Sequence, residues 1–299
     1  MSDRDSVHAF SFQDFPVRGK LVHLNASWRA VLENKEYPAI IQPLLGEALA
    51  ASVLLASTLK FDGKLTLQLQ SEGAMSLLLA QCTSTFNLRG LSHWREELLT
   101  ASNDATAMSL LEKGRLALTL EPSGDGQRYQ GIVPLEKETL AGCVEDYFAA
   151  SEQLPTRLWF AANQRQVVGM LLQKMPQEGG RKSNKVDEDG WPRVQMLADT
   201  ITDHELLELT DVDILNRLFH EENVRLFSSS PVAFRCTCSQ ERINQMLRGL
   251  GQEEVASIIE EQGSITIDCE FCGRNYMLDP IDAEHLFAEE AVDLSKQKH

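Results

Sequence analysis

Four cysteines near the C-terminus carry the residue types and spacing for metal and redox chemistry. Cys236 and Cys238 stand as Cys-Thr-Cys, Cys269 and Cys272 as Cys-Glu-Phe-Cys, with thirty residues between the pairs. Four thiols in two close pairs can hold one tetrahedral Zn²⁺. The same thiols can oxidise to disulfides and give the ion up. Gly273 follows the second pair directly, and a glycine there permits a tight knuckle around an ion. Arg235, Arg242 and Arg274 lie beside the cysteines in sequence and can offset the negative charge that four thiolates leave on a divalent cation.

Zinc keeps its thiol ligands deprotonated, and the thiolate is the form that oxidants attack. A closed four-thiolate site also stabilises its fold, by on the order of 10–16 kcal/mol in small zinc peptides. Of the three ways to pair four cysteines, Cys236–Cys238 and Cys269–Cys272 close the shortest loops. The Cys-x-Cys ring would be strained and easily reduced. A permanently closed structural zinc site fits the same motif, so the residues alone leave a redox role open. No histidine has ligand spacing; His220 and His285 are nearest in sequence. Cys82 and Cys143 sit in apolar surroundings and read as buried small hydrophobes.

The elements that position these residues divide the chain in three. Residues 1–176 read as an α+β domain. Ser27 is expected to cap a short helix through Glu36, stopped by Pro38. Residues 40–59 are apolar nearly all round, as in a helix buried on most sides. Lys64–Gln70 alternates, with Leu65, Leu67 and Leu69 on one face, which predicts a half-buried strand followed by a second at Met75–Thr83. Arg115–Glu121 and Arg128–Leu135 bracket a Pro-Ser-Gly-Asp-Gly turn as a hairpin. Leu140–Ser151 is helical, and Arg157–Ala162 with Val167–Met175 suggests another antiparallel pair.

Residues 177–230 read as a linker. Its first part, Gln177 to Gly190, is polar and lacks apolar anchors. Its second part, 191–221, carries short amphipathic helical patterns that need a surface to pack on. Residues 231–299 form a small zinc-binding domain, with strands expected at Ser264–Asp268 and Asn275–Leu278.

The formal charge is −16 over 299 residues. Residues 1–176 carry 19 acidic and 16 basic side chains, 177–230 carry 12 and 6, and 231–299 carry 13 and 6. The acidity therefore gathers around the cysteines, which argues against a zinc-ribbon module that binds nucleic acid. A thiol–disulfide oxidoreductase would need a βαβ setting for Cys-Glu-Phe-Cys and leaves the other pair unexplained. The longest apolar stretch, residues 39–59, contains Gln42, Pro43, Gly46 and Glu47 and reads as a buried helix, not a membrane span. The N-terminal Met1-Ser-Asp-Arg-Asp-Ser has no signal core behind it, so a cytoplasmic protein is expected, where clustered cysteines point to metal or redox chemistry.

Phe234-Arg-Cys-Thr-Cys-Ser-Gln-Glu-Arg242, together with Cys269-Glu-Phe-Cys-Gly273, closely resembles the 33 kDa heat-shock chaperonin family of bacterial redox-regulated holdases. The resemblance extends to Thr58-Leu-Lys-Phe-Asp-Gly63, Arg128-Tyr-Gln-Gly131, Glu145-Asp-Tyr-Phe148 and Ser151-Glu-Gln-Leu-Pro-Thr-Arg-Leu158, and so covers nearly the whole chain. It departs at Gly179–Asp189, which leaves the start of the linker open by several residues.

The resemblance implies one Zn²⁺ on Cys236, Cys238, Cys269 and Cys272 in a reduced, poorly active protein. It implies that oxidation forms Cys236–Cys238 and Cys269–Cys272, ejects zinc, unfolds the C-terminal domain and loosens the linker. It further implies a homodimer when oxidised, capture of unfolding client proteins under heat and oxidative stress, and no enzymatic turnover. No Gly-x-x-x-x-Gly-Lys-Ser/Thr loop is present, consistent with action without ATP. A holdase must expose apolar surface only on demand, so Leu197, Ile201, Leu206, Leu207, Leu218 and Phe219 of the linker are the candidate client-binding residues. A constitutive structural zinc protein is the competing reading.

Overall fold

The computed structural model describes residues 5–99, 106–124, 126–176, 187 and 189–296. These fall into two compact units, one up to Arg235 and one from Cys236 onward.

The first unit begins with strands β1 (Ser6–Phe12) and β2 (Val17–Leu24), a short helix α1 (Ala26–Glu33) and a long helix α2 (Gln42–Thr58). Strands β3 (Gly63–Gln70), β4 (Met75–Thr83) and β5 (Asn87–Trp94) follow, then helix α3 (Glu96–Leu99), strands β6 (Arg115–Pro122) and β7 (Tyr129–Pro134), helix α4 (Leu140–Tyr147), and strands β8 (Thr156–Ala162) and β9 (Val167–Lys174). Helices α5 (Gly190–Ala198), α6 (Asp203–Glu208) and α7 (Asp211–Phe219) and the short strands β10 (Val224–Leu226), β11 (Ser230–Pro231) and β12 (Ala233–Phe234) complete it.

Two six-stranded sheets result. One runs β10-β1-β2-β9-β8 with β11 also on β1, the other β12-β5-β4-β3-β6-β7. All pairings are antiparallel except β12 on β5. The fold class is α+β, as the sequence predicts.

Helix α2 organises the first core. Pro43 sits in its first turn, where a missing N–H does no harm, and twelve of its residues are buried. A helix apolar on all sides must be covered on all sides. Val22, Leu24, Val167 and Leu171 of one sheet and Leu65, Leu67, Leu78 and Ala80 of the other share its core. Leu65, Leu67 and Leu69 of β3 are buried as predicted, but Thr66 on the opposite face is buried as well.

Helix α1 departs from expectation. It ends at Glu33, and Ser27 is not its cap. The Asp5 carboxylate, on the segment leading into β1, instead accepts the backbone N–H groups of Asn25 (2.5 Å), Ala26 (3.0 Å) and Ser27 (2.6 Å).

Helices α5, α6 and α7 pack on the face of the first sheet opposite α2. Val194, Ala198, Leu206, Ile214, Leu215, Leu218 and Phe219 form a second core there with Phe10, Phe12, Leu21, Met170 and Leu172. The helices are individually well started: Thr202 makes a capping box with Glu205, and Thr210 accepts the N–H of Asp213. Gly190 opens α5 where a Cβ would stand 2.4 Å from the ring of Phe15. The polar stretch Gln177 to Gly190 lies mostly outside the described residues.

The second unit contains α8 (Gln240–Leu250), α9 (Gln252–Gln262), β13 (Ile265–Asp268), β14 (Asn275–Leu278) and α10 (Pro280–Lys296). Among the described residues its buried core is Ile243, Leu247, Val255, Ile265, Tyr276, Leu278, Ala283 and Leu286. Among the described residues, no helix is long and apolar enough to cross a membrane.

Candidate metal centre

All four cysteines singled out by spacing meet in the second unit. Cys236 and Cys238 lie in the segment between β12 and α8, where Ser239 caps α8 by accepting the N–H of Arg242. Cys269 and Cys272 lie on the turn from β13 to β14. That turn is a tight knuckle. Cys269 N–H donates to the Arg274 carbonyl at 2.9 Å, and the Cys269 carbonyl accepts from Cys272 N–H at 3.2 Å and Gly273 N–H at 2.7 Å. Gly273 has φ of 64°, the left-handed region that suits glycine. Its position after the second pair is therefore explained by backbone geometry.

The four sulfurs all lie within 4.8 Å of one another. Cys238 Sγ is 3.3 Å from Cys272 Sγ, and Cys236 Sγ is 3.6 Å from Cys269 Sγ. Thiolates about 2.3 Å from a zinc ion define a tetrahedron with edges of about 3.8 Å. The donor set and its span thus fit one tetrahedral metal ion. These short distances run across the two sequence pairs and leave the choice of disulfide partners open.

Electrostatics also favour a cation. Burial pushes the Cys272 thiol up to about 12, and the three neighbouring sulfurs add to the shift. Burial raises Cys269 as well. At Cys238 burial acts in the same direction, but the Tyr276 hydroxyl and the other three thiols bring it down to about 7. Four thiols at this spacing cannot all ionise beside one another. A divalent cation at the centre removes that conflict and holds every ligand as thiolate.

Two further residues bear on the site. Tyr276 lies beside Cys238, and Arg274 is held charged by the Tyr276 phenol and by Cys238 and Cys272. Arg274 was expected near the sulfurs; Tyr276 was not. Its signal was the alternation of β14, which buries Tyr276 and Leu278 and leaves Asn275 and Met277 outside.

Comparison with known proteins gives a single answer. The profile described as Hsp33 protein matches residues 5–279. The chain belongs to the Hsp33 family. The 33 kDa chaperonin of Nitrosococcus oceani is 49% identical over 97% of this chain and 96% of its own length. That of Pseudomonas aeruginosa is 47% identical over 96% of each. The crystal structure of the 33 kDa chaperonin from Thermotoga maritima shares the fold, with a TM-score of 0.81 at 20% identity, covering 96% of this chain and 99% of that one.

Within this Hsp33 chain the linker residues take a defined place. Leu206, Leu218 and Phe219 are buried, and Leu197, Ile201 and Leu207 are half-buried against the same core. Phe219 meets Phe12 edge to face at a centroid distance of 5.1 Å and Phe10 at 6.3 Å. Cys82 and Cys143 are buried in the core of the first unit. Burial pushes the Cys82 thiol up to about 12 and raises Cys143.

Proposed function

We propose that this protein is a redox-regulated, ATP-independent chaperone of the cytoplasm. In the reduced state Cys236, Cys238, Cys269 and Cys272 hold one Zn²⁺. The domains that act are residues 1–176 as core, 177–230 as linker and 231–299 as switch. The observation that carries the reading is the meeting of all four sulfurs in a unit with eight buried core residues among those described. So small a core rarely holds a fold alone, and a structural metal supplies the missing stabilisation.

Oxidation acts on the ligands themselves. Two thiols and one peroxide give one disulfide and two waters, with two electrons passing from sulfur to the peroxide. Done twice, at Cys236–Cys238 and Cys269–Cys272, this leaves no thiolate to hold the ion. The switch then loses its metal and its stability together. The linker helices release from the first sheet and expose Leu197, Ile201, Leu206, Leu207, Leu218 and Phe219, with the sheet face beneath them. Unfolding clients bind there without catalytic turnover, and the oxidised protein acts as a homodimer. Family membership supports the chaperone role, and the apolar contact between linker and sheet supports the choice of surface.

The test is one experiment with three readouts. Zinc-loaded, reduced protein is treated with peroxide under mild heat, while zinc release, thiol count and suppression of a client's aggregation are followed. The three should change together. Loss of zinc and thiols with no gain in suppression would refute the switch.

A further inference from the structure

Sequence spacing gives no role to the histidines, yet the fold gathers two of them round a carboxylate. In the β1–β2 register His8 faces Leu21 and His23 faces Ser6. Both imidazoles therefore leave the same face of the sheet, the face that carries Phe10, Phe12 and Leu21 into the second core. Asp211, the first residue of α7, enters between them. Its Oδ1 is 2.5 Å from His23 Nε2, and its Oδ2 lies against His8 Nδ1. The three side chains are only 23%, 18% and 10% exposed for His8, His23 and Asp211.

Burial by itself would raise the Asp211 carboxyl, but the two imidazoles hold it below its ordinary range. The carboxylate is therefore charged; Oδ1 is hydrogen-bonded to His23 on β2, and Oδ2 meets His8 on β1 at ion-pair distance without hydrogen-bond geometry. Other polar links between the linker helices and the sheet are of a different kind. Asp199, at the end of α5, accepts from Arg157 at 2.8 Å and Trp159 at 3.1 Å, both in exposed positions. The Leu207 carbonyl of α6 accepts from Gln166 at 2.6 Å. Exposed pairs contribute little. A buried charge behaves differently: it adds little net stability when paired and is strongly unfavourable when left unpaired. Such a group punishes every partly docked or slipped arrangement. The apolar contacts of α7 tolerate a slip, because hydrophobic burial is not directional.

We propose that His8, His23 and Asp211 form a clasp that fixes the register of α7 on the first sheet and makes its docking all-or-none. The clasp sets how readily the linker is released, an inference that rests on the release step proposed above. Opening α7 hydrates all three groups at once, so no intermediate position is favoured.

The experiment uses full-length, reduced, zinc-loaded protein carrying Asp211→Ala, His8→Ala with His23→Ala, or all three. Hydrogen exchange of the α7 amides, zinc content and suppression of client aggregation are measured on each. Asp211→Ala should speed α7 exchange about tenfold or more, with zinc content unchanged. In the background lacking both imidazoles it should slow α7 exchange instead, because there it removes an unpaired buried carboxylate. The histidine pair reports independently should Asp211→Ala fail to fold. Unchanged α7 exchange in the single variants, or equal effects of Asp211→Ala in both backgrounds, would overturn the clasp. Faster exchange that tracks the cycle but brings no client capture would leave the clasp standing and refute the release step instead.

Discussion

Truncating Phe219 to alanine tests whether the linker is a separable, releasable layer. Phe219 is 2% exposed and closes the end of α7. Its ring meets Phe12 edge to face, and Phe12 in turn stacks on Phe15 at 4.9 Å. Removing a buried phenylalanine costs about 3–5 kcal/mol, the lost transfer energy plus the cavity left behind. Taken as about 4 kcal/mol, that is about a thousandfold in the equilibrium between docked and undocked α7. The penalty falls on one face of the first sheet, because α2 and its twelve buried residues lie on the other.

Hydrogen exchange resolved by segment is the assay, since it reports local opening separately from global unfolding. In reduced, zinc-loaded Phe219→Ala protein, α6 and α7 should exchange about a hundredfold to a thousandfold faster. Amides of α2 should keep their protection. Client aggregation should be suppressed without oxidant. Val212→Ala is the control on the same helix: Val212 is 54% exposed, and its loss should change stability by less than about 0.5 kcal/mol. Loss of α2 protection in step with α7 would refute the reasoning, because the linker would then be part of one cooperative core. So would full α7 protection in the variant.

Two further outcomes are expected. Cys272→Ser removes one of four ligands, so bound zinc should fall sharply and the second unit should lose its folded signals while α2 stays protected; a folded second unit without metal, seen by NMR dispersion, would contradict this. Glu47 on α2 is raised to about 7 from 4.5 by burial, with the Asp203 charge adding to it. A folded value above the unfolded one means that ionisation destabilises the fold: the penalty is absent below about 4.5, grows as pH rises, and is complete above about 7. Its upper bound is about 3 kcal/mol. Glu47→Gln should therefore raise stability to urea at pH 8 by up to about that amount and change little at pH 4.5; a gain of equal size at both would exclude ionisation as its cause.

What the sequence discloses depends on how many faces of an element are covered. Strand β3 shows its alternation plainly, with Lys64 and Gln70 at less buried ends. Helix α2 is legible from its all-round apolarity. Strands β1 and β2 are not, because the first sheet is covered by α2 on one face and by α5–α7 on the other, and a strand buried on both sides loses its period-two signal. Strand β9, buried at every position but Lys174, is legible instead as a continuous apolar run. Helix α8 fails for the opposite reason: it buries only Ile243 and Leu247, too few to stand out. The four cysteines need no tertiary context, because their local spacing already encodes the knuckle. The Asp5 cap of α1 and the Asp211 clasp join residues about 20 and 190 positions apart, and no local pattern carries such contacts.

Placement of the thiols explains how an oxidant could act on one unit and spare the other. All six cysteines are thiols, yet their surroundings differ. Cys82 lies within strand β4 at the core around α2, and burial pushes it up to about 12. Cys143 is buried on α4 and also raised. Neither offers thiolate or access, and both are needed for attack. The four clustered thiols are partly exposed, and a metal at their centre would hold them ionised. Under the proposed switch, oxidation would be directed to the unit whose described core is the smaller. The thiols in the core around α2 are buried and raised, so the proposed switch would leave that core intact.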